Sequence, residues 1–241
     1  MYLKIKKNKN FPKKLKKLSI KKKKISDDFM KYWHEVLQSK YSIVDKFNHE
    51  YVTKSRPKRF KTVLEIGAGD GEHIYYEKLN KKKLKNYFAI DLRQNMLSKL
   101  NRNHKEVNAI NGDCQKKTKF KSNFFDRVIA IHILEHLPNL PKALCEINRI
   151  IKKSGTFQVV IPCEGSLAYS IARKISAERI FKKRYGMDYD WFIKREHINL
   201  PFEIFNELKK FFKISSIKFF PFNVIPKEFC NLCIGINLTK K

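Results

Sequence analysis

Acidic residues are scarce in this sequence, and their scarcity limits the partners that the chain can have. The 241 residues include 23 Asp and Glu against 53 Lys and Arg, which gives a formal net charge of +30. Nucleic acid, an anionic membrane or an acidic glycan would each suit this charge. An AT-rich coding bias explains it at least as well, because lysine outnumbers arginine, the residue preferred for phosphate and base recognition.

Long apolar runs are also absent from the sequence. No stretch approaches the roughly 18–20 residues that span a bilayer, so we do not expect an integral membrane protein. The basic N-terminus lacks a following apolar segment and is not typical of a secretory signal. We therefore expect a cytoplasmic protein, free or held peripherally at a membrane. A hydrophobic content of 42% predicts one substantial core, as in a single α/β domain with extensions.

Cysteine is too sparse to build a disulfide or zinc framework. The five cysteines are Cys114, Cys145, Cys163, Cys230 and Cys233. The last two form a C-x-x-C pair, but a structural zinc site needs about four ligands and no second pair is present. The pair also lies in an apolar run, Phe229 to Leu238, that is typical of a strand. We therefore predict reduced core thiols and no metal site.

Glycine is rare as well, with 8 in the chain, yet three glycines alternate within one short stretch. Gly67, Gly69 and Gly71 follow the apolar run 63–66, and a helical pattern begins at Glu72. A buried strand, a glycine turn and a helix N-terminus form a typical cofactor cradle. Glycine suits the turn because it accepts positive φ and leaves no Cβ in the path of a ligand.

From residue 61 the sequence alternates between strand and helix patterns, which predicts a parallel sheet covered on both faces. The predicted strands are 61–66, 87–91, 107–111, 125–131 and 156–162, followed by 214–220 and 232–238. The predicted helices lie near 71–80, 93–102 and 139–151, with another from Pro201. Ligands of such sheets bind at the carboxyl ends of the strands.

Acids occur at three consecutive predicted strands, where we expect the ligand to bind. These acids are Glu65, Asp91 and Asp113. Asp91 stands twenty residues beyond Gly71, where an acid accepts hydrogen bonds from the ribose hydroxyls of a nucleoside cofactor. Leu92 follows and can pack on an adenine. Three acids in equivalent positions indicate a binding site more strongly than one isolated turn residue.

The pattern Glu65-x-Gly67-x-Gly69-x-Gly71 resembles motif I of the class I S-adenosylmethionine (SAM)-dependent methyltransferases. Residues 125–138, with Leu134-Glu135-His136 near their end, resemble a segment of the type 11, or UbiE-like, small-molecule branch. The resemblance continues through 143–157, where Lys153-Ser154 stands in place of a Pro-Gly pair, so that Gly155 alone is left for a turn at the end of the helix. It covers roughly residues 61–162 in all.

This resemblance implies a Rossmann-like α/β fold, with a seven-stranded mixed sheet that is mostly parallel and whose last strand is antiparallel. It also implies that the cofactor is SAM. Asp113 stands where an acid accepts from the adenine amino group, and Cys114 where a backbone N–H donates. The implied cofactor-binding residues are Glu65, Gly67, Ala68, Gly69, Gly71, Asp91, Leu92, Asp113, Cys114, Ile131 and His132.

The spacing of the glycine motif also distinguishes SAM from other cofactors. A dinucleotide fingerprint requires glycine at position 72, where Glu72 stands, and the nucleotide-triphosphate loop is absent. Asp70 and Glu72 suit a cationic sulfonium and ammonium better than a phosphate. The base-binding motif [DN]-P-P-[YFW] of amino-methylating DNA and RNA enzymes is missing, because residues 131–134 read Ile-His-Ile-Leu.

Outside this core we predict three further regions: an N-terminal arm, a helical lead-in and an insertion. Residues 1–24 contain twelve lysines and no acid, and we predict a flexible basic arm that docks on an anionic membrane surface or RNA, or is simply solvated. Residues 25–60 predict a helical lead-in that starts at Ser26 and either covers the cofactor opening or packs on the domain. The methyltransferase domain spans 61–241, with a substrate-pocket insertion at about 163–200.

Histidines supply the candidate catalytic groups. His136 is our candidate base, because a hydroxyl or amine acceptor must lose a proton. Residues 195–199 resemble a stretch in sugar- and lipid-pathway members of the branch, so Glu196 and His197 are candidates for substrate contact or proton removal; a structural role for His197 is equally compatible. His132 and His136 have a metal-like spacing, but no further ligand is evident in the sequence.

These features together predict a SAM-dependent methyltransferase. The acceptor we expect is a small molecule or a glycan or lipid-linked intermediate, methylated on oxygen or nitrogen. One alternative is an rRNA or tRNA methyltransferase that uses the basic arm as a clamp. Another is a SAM-binding subunit or sensor without transferase activity.

Overall fold

The computed structural model describes residues 11–37, 42–223 and 230–241. Apolar, β-branched and aromatic residues form seven strands, most of them buried on both faces. The strands are β1 (Val63–Ile66), β2 (Tyr87–Asp91), β3 (Asn108–Asn111), β4 (Phe125–Ile131), β5 (Ile151–Pro162), β6 (Phe212–Phe220) and β7 (Cys233–Lys240).

These strands form one sheet in the order β3-β2-β1-β4-β5-β7-β6. The first five pair in parallel, whereas β7 runs antiparallel between β5 and β6. This arrangement confirms the predicted Rossmann-like α/β fold with an antiparallel last strand. It also places the carboxyl ends of β1 to β5 at one edge, where the predicted site residues follow.

Helices surround the sheet and connect its strands. They are α1 (Ile20–Tyr32), α2 (Ser42–Lys54), α3 (Glu72–Glu77), α4 (Lys81–Leu84), α5 (Gln94–Asn103), α6 (Leu140–Ile150), α7 (Leu167–Arg173), α8 (Arg179–Tyr185), α9 (Asp190–Glu196) and α10 (Pro201–Phe211). A 3-10 turn spans Leu134–His136, and π-helical turns span Trp33–Leu37 and Lys174–Glu178. Each of these described helices is too short or too polar to cross a membrane.

The structure corrects two local expectations. Helix α1 begins at Ile20 and not at Ser26, because the Ser19 side chain accepts from Lys22 N–H and caps the helix there. Ser26 is buried within the helix. Gly155 lies inside β5 and not in a turn after α6, because the strand starts directly at Ile151 with an irregular register.

The lead-in has two helices that pack on different parts of the protein. Helix α2 lies on the sheet, where Tyr51 covers Gly235 so closely that a Cβ there would lie 2.4 Å from the ring. Helix α1 inserts Phe29 among aromatic residues of the insertion, with edge contacts to Phe181 and Phe192. The first lead-in helix and the insertion therefore share one aromatic core.

The part of the basic arm that the structure describes contacts the domain. Lys13 Nζ lies 2.6 Å from Glu203 Oε2, and Lys13 N–H donates to Pro138 O at 2.8 Å. Arg195 Nη1 donates to Lys16 O. Residues 1–10, with four of the arm's lysines, lie outside the described residues.

Candidate cofactor and acceptor site

The glycine turn lies at the carboxyl end of β1 and is fastened to β2. Gly67 N–H and Ala68 N–H donate to Ile90 O at 2.8 and 3.3 Å. The three glycines have φ of +70°, +56° and +91°, a region that only glycine enters without strain. A Cβ on Gly69 would meet only Arg93 Nη2, at 3.8 Å, so this side of the turn is open to a ligand.

Gly67→Ala should weaken SAM binding and cost about 1–2 kcal/mol of stability, since alanine is strained in the left-handed region. The added Cβ would also lie 2.7 Å from Ile133 Cδ1, which forces the turn or the Ile133 side chain to move. Gly186→Ala is the matched control, because Gly186 has φ +61° with open space around it. Calorimetry with SAM and urea unfolding separate the two effects, and equal SAM affinity in both variants would contradict the cradle.

Asp91 ends β2 directly beside the turn. Its Oδ2 accepts from Gly69 N–H at 2.9 Å, and Oδ1 accepts from Arg93 N–H at 2.8 Å. The Arg93 guanidinium also reaches both oxygens at 3.1 Å. Burial raises the pKa of Asp91, but the bonds from Arg93 and Gly69 outweigh it and lower the pKa overall. Asp91 is thus an ionised acceptor.

Asp91→Ala is expected to weaken SAM binding by about 1–3 kcal/mol, the worth of a lost hydrogen bond to a charged acceptor. Arg93 is the informative second position, because its guanidinium must leave the carboxylate when ribose hydroxyls bind. The Arg93 side chain is 43% exposed, so this exchange costs little. Arg93→Ala should therefore retain or improve SAM affinity in the same calorimetric titration. An unchanged affinity for Asp91→Ala would reject the ribose assignment.

The other residues that we predicted to contact the adenine follow strands β2 and β3. They are Leu92, Asp113 and Cys114. Leu92 is 63% exposed and offers an apolar surface on which a base can stack. Asp113 accepts from Gln115 N–H, and Gln115 Oε1 in turn accepts from Asn139 N–H at 2.7 Å, which fixes the loop. The Cys114 thiol is buried, and this burial raises its pKa to about 12, so it is no nucleophile.

Glu65 lies within β1 and under the turn, not at the surface. Only 4% of the residue is exposed, and Tyr87 O–H donates to its Oε2 at 2.7 Å. Burial raises the pKa of Glu65 to about 7. A cation bound above it would favour the ionised form.

His132 and Glu135 follow β4 on the other side of the turn. His132 has φ +48°, and its N–H donates to Val160 O, which ties the loop to β5. Its Nδ1 lies 3.1 Å from Glu135 Oε1. Burial raises the pKa of Glu135, but His132 and the neighbouring histidines lower it to about 2. Glu135 is therefore an ionised carboxylate with only 1% exposure.

The three predicted catalytic residues meet beyond Glu135. His136 Nδ1 lies 2.6 Å from Glu196 O, and the His136 and His197 rings make an edge contact with centroids 5.2 Å apart. His197 Nδ1 lies 2.9 Å from Glu164 Oε2. Removal from water lowers the pKa of His136 and raises that of Glu196, so His136 is neutral at pH 7. We call the group Glu135, His136, Glu164, Glu196 and His197 the acceptor cluster.

A second polar group joins the lead-in to the glycine turn. His49 Nε2 on α2 lies 3.5 Å from Asp45 and 3.8 Å from Glu72, the first residue of α3. Its Nδ1 lies 3.1 Å from Nδ1 of the buried His73, whose Nε2 reaches Glu77 Oε1 at 3.0 Å. The two carboxylates outweigh burial and raise the pKa of His49 to about 9. The lead-in therefore places a cationic histidine beside the turn.

Sequence reasoning missed two members of the acceptor cluster and, in the lead-in group, His49 together with its neighbours Asp45 and His73. Glu135 was recognised only as part of the Leu134-Glu135-His136 motif, and no role was predicted for it. Glu164 was not predicted at all, although it follows β5 at the same carboxyl edge as the other site residues. Asn199 also went unnoticed: its amide donates to Leu134 O and Leu137 O, which holds the turn that carries His136. A search for polar residues after every strand would have found Glu164.

Solved structures share this fold over most of the chain. A protein from Pyrococcus horikoshii, PH0226, superposes with a TM-score of 0.63 and 16% identity, covering 88% of this chain and 99% of that one. A Thermotoga maritima protein, named a SAM-dependent methyltransferase and possible histamine N-methyltransferase, gives 0.62 and 19%, covering 88% and 98%. At such identities the likeness establishes the fold, which is that of the class I methyltransferases.

The family follows from the sequence itself. Residues 64–159 match the family model described as a methyltransferase domain, type 11. Residues 64–159 are therefore a methyltransferase domain, and the cofactor of such a domain is SAM. The open turn at Gly69, the ionised Asp91 and the exposed Leu92 fit this cofactor.

Two curated proteins are similar to part of the chain. Human mitochondrial arginine-hydroxylase NDUFAF5 is 31% identical over 101 residues, which are 42% of this chain and 28% of that protein. The protein MJ0638 of Methanocaldococcus jannaschii is 35% identical over 107 residues, or 44% and 42%. The match thus spans less than half of either relative.

Proposed function

We propose that the protein transfers a methyl group from SAM to oxygen or nitrogen of a small molecule or of a glycan or lipid-linked intermediate. The observation that carries this proposal is the acceptor cluster beside the cofactor edge. Nδ1 of His132, a predicted cofactor-binding residue, lies 3.1 Å from Oε1 of Glu135 in this cluster, and Ile133 lies against Gly67. Polar groups able to take a proton thus border the cofactor site.

The residues of this chain have two tasks in such a reaction. Bound SAM supplies an electrophilic methyl group with a neutral thioether as leaving group, so the protein mainly has to bring acceptor and methyl group together. The glycine turn, Asp91 and Leu92 would hold the cofactor. The acceptor cluster would orient the acceptor and take up the proton that a hydroxyl or amine loses.

Calorimetry with SAM and with its demethylated product, followed by an acceptor screen, tests this proposal. We expect binding of both at micromolar concentrations and methyl uptake by a member of the acceptor class. Mass spectrometry of the product distinguishes an added methyl group from an added oxygen, which matters because one relative is named a hydroxylase. Failure to bind either compound would reject the proposal, and binding without turnover on any acceptor would favour a SAM-binding subunit.

The charge of the chain favours one other function, methylation of RNA. Residues 1–24 carry twelve lysines and no acid, and such a segment gives RNA affinity that falls steeply with salt. A chain without residues 1–24 should then lose this affinity. RNA binding that is weak in low salt, or unchanged by the deletion, would reject this function and leave the first proposal standing.

A further inference from the structure

Three side chains of the acceptor cluster have the composition of a metal site. The donor atoms of Glu135, His136 and His197 all lie within 4.8 Å of one another. His197 stands 61 positions after His136, so a search for ligands at short spacing could not connect them. Two imidazoles and one carboxylate bind zinc with an open fourth position, and they also bind iron(II).

The hydrogen bonds of His136 and His197 occupy Nδ1 of each ring and leave Nε2 to bind a metal. A backbone carbonyl only accepts, so His136 Nδ1 must donate to Glu196 O, at 2.6 Å. His197 Nδ1 likewise donates to the Glu164 carboxylate, at 2.9 Å. A ring that donates from Nδ1 and carries a single proton has its lone pair on Nε2. Histidine ligands of metals are held in this way, by a carbonyl or carboxylate on the other nitrogen.

The carboxylate provides a second, independent observation. Glu135 is 1% exposed, and its Oε1 lies 3.1 Å from His132 Nδ1 and 3.9 Å from His136 Nε2. Its buried Oε2 has no hydrogen-bond partner among the residues that the structure describes. A buried oxygen of an ionised carboxylate without a partner is costly. A cation bound to this carboxylate would compensate that cost.

We propose that Glu135, His136 and His197 bind one divalent transition metal ion, with zinc as the representative ion. Metal–ligand distances of about 2.0–2.2 Å require donor atoms no more than roughly 4.4 Å apart. The three donor atoms already lie within 4.8 Å of one another, and His136 Nε2 lies 3.9 Å from Glu135 Oε1, so only small side-chain movements are needed. Magnesium and calcium are disfavoured because they prefer oxygen ligands.

The other cluster of possible ligands, Asp45, His49 and Glu72, does not compete for this assignment. Its histidine lies between two carboxylates and is protonated at neutral pH, so it already supplies the positive charge. It has no buried acceptor without a partner. His49→Gln is therefore a suitable control, which removes a histidine near the cofactor without touching the proposed ligands.

The open coordination position would face the acceptor. A metal there would bind an acceptor oxygen and make its proton easier to remove. This use of the metal rests on the proposed function, whereas metal binding itself does not. The experiment is therefore performed on the chain without SAM or acceptor.

The full-length chain, with any affinity tag removed, is stripped with EDTA and equilibrated with zinc chloride or cobalt chloride, and the bound metal is counted. We expect about one equivalent per chain, no competition by magnesium chloride, and a rise of the melting temperature with zinc. Glu135→Gln and His197→Gln should each lower the affinity at least tenfold. Glu164→Ala, which frees His197 Nδ1, should lower it about 10- to 100-fold. His49→Gln should bind as the unmodified chain does.

Three results would overturn the assignment. One is the absence of bound zinc and of zinc-dependent stabilisation in the unmodified chain. Another is a zinc affinity in Glu135→Gln and His197→Gln that equals that of the unmodified chain, and the third is a thiolate-to-cobalt absorption band. The last would place the metal on cysteines such as the exposed Cys145 or Cys230. Because stabilisation of the unmodified chain is measured separately, a variant that fails to fold does not remove the test.

Discussion

Arg127→Met is expected to destabilise the protein by about 3–5 kcal/mol, as removal of one partner of a buried ion pair does. Arg127 on β4 is fully buried, and its Nη2 lies 2.8 Å from Oε1 of Glu77, which is itself 0% exposed. Without the arginine, the carboxylate stays buried next to a histidine, His73, that is neutral. Methionine fills most of the volume, so the loss is mainly electrostatic.

The pair is also the centre of a polar network that joins five elements: α2, α3, β4, β5 and β7. Arg127 Nε donates to Gln158 Oε1 at 2.5 Å, and Nη2 donates to Val52 O at 3.1 Å. Gln158 Nε2 donates to Val52 O and to Asn237 Oδ1. The arginine thereby attaches the lead-in helix α2 to the centre of the sheet, and its loss should loosen that helix first.

Urea unfolding of matched variants measures this effect. Arg56 also pairs with Glu77, at 3.2 Å, but its side chain is 36% exposed, so Arg56→Met should cost no more than about 1 kcal/mol. The double variant Glu77→Gln with Arg127→Met should lose less unfolding free energy than the two single variants lose together, since no buried charge is left unpaired. A loss below 1 kcal/mol for Arg127→Met would show that the pair is not important for stability.

Much of the fold was predictable because it depends on local patterns. The apolar run before Gly67 and the strand ending in Asp91 carry their own signals, and parallel pairing follows from the alternation of strand and helix. The predicted start of β5 was wrong. Gly155 lies in an irregular part of this strand, whereas the sequence suggested a turn after the preceding helix. The true start of α1 at Ile20 depends on the cap at Ser19, which the lysines that follow it obscured.

The polar networks were not predictable, because their partners are far apart in sequence. Arg127 follows Asp126 in an otherwise apolar strand. Nothing near it in the sequence identifies Glu77, fifty positions earlier, as its partner. The same holds for Glu135 and His197, which meet only because Asn199 fastens the segment after α9 to the turn at Leu134. Residue types at a sheet edge are thus predictable, but the pairs they form are not.

The stability of the protein is expected to fall by about 2 kcal/mol between pH 7 and pH 9, mainly because of His49. Its pKa is about 9 in the folded protein, against 6.5 for an unperturbed histidine. A raised pKa contributes stability that is complete below pH 6.5 and is lost as the pH rises through 9. The complete contribution of such a shift is about 3 kcal/mol.

Other shifted groups act mostly outside this range. The pKa of His73 is lowered to about 4 by burial, so its contribution is lost as the pH falls below 6.5. Burial raises the pKa of Glu65 to about 7, so stability falls as the pH rises from 4.5 to 7 and changes little above that. The buried thiol of Cys163, whose pKa is raised to about 12 by burial, costs stability above pH 9. His49 should therefore dominate from pH 7 to 9.

The groups around His49 define the variants that test this assignment. The ring stands between Asp45 and Glu72, stacks on Tyr76 at 4.5 Å, and donates through Nδ1 to His73. His49→Gln removes the titration and should flatten the dependence of the unfolding free energy on pH from 7 to 9. Asp45→Asn should flatten it in part, since Glu72 remains, whereas Lys54→Gln on the exposed face of α2 should not change it. An equally steep dependence in His49→Gln would assign the titration to another group and leave His49 neutral beside the cofactor turn.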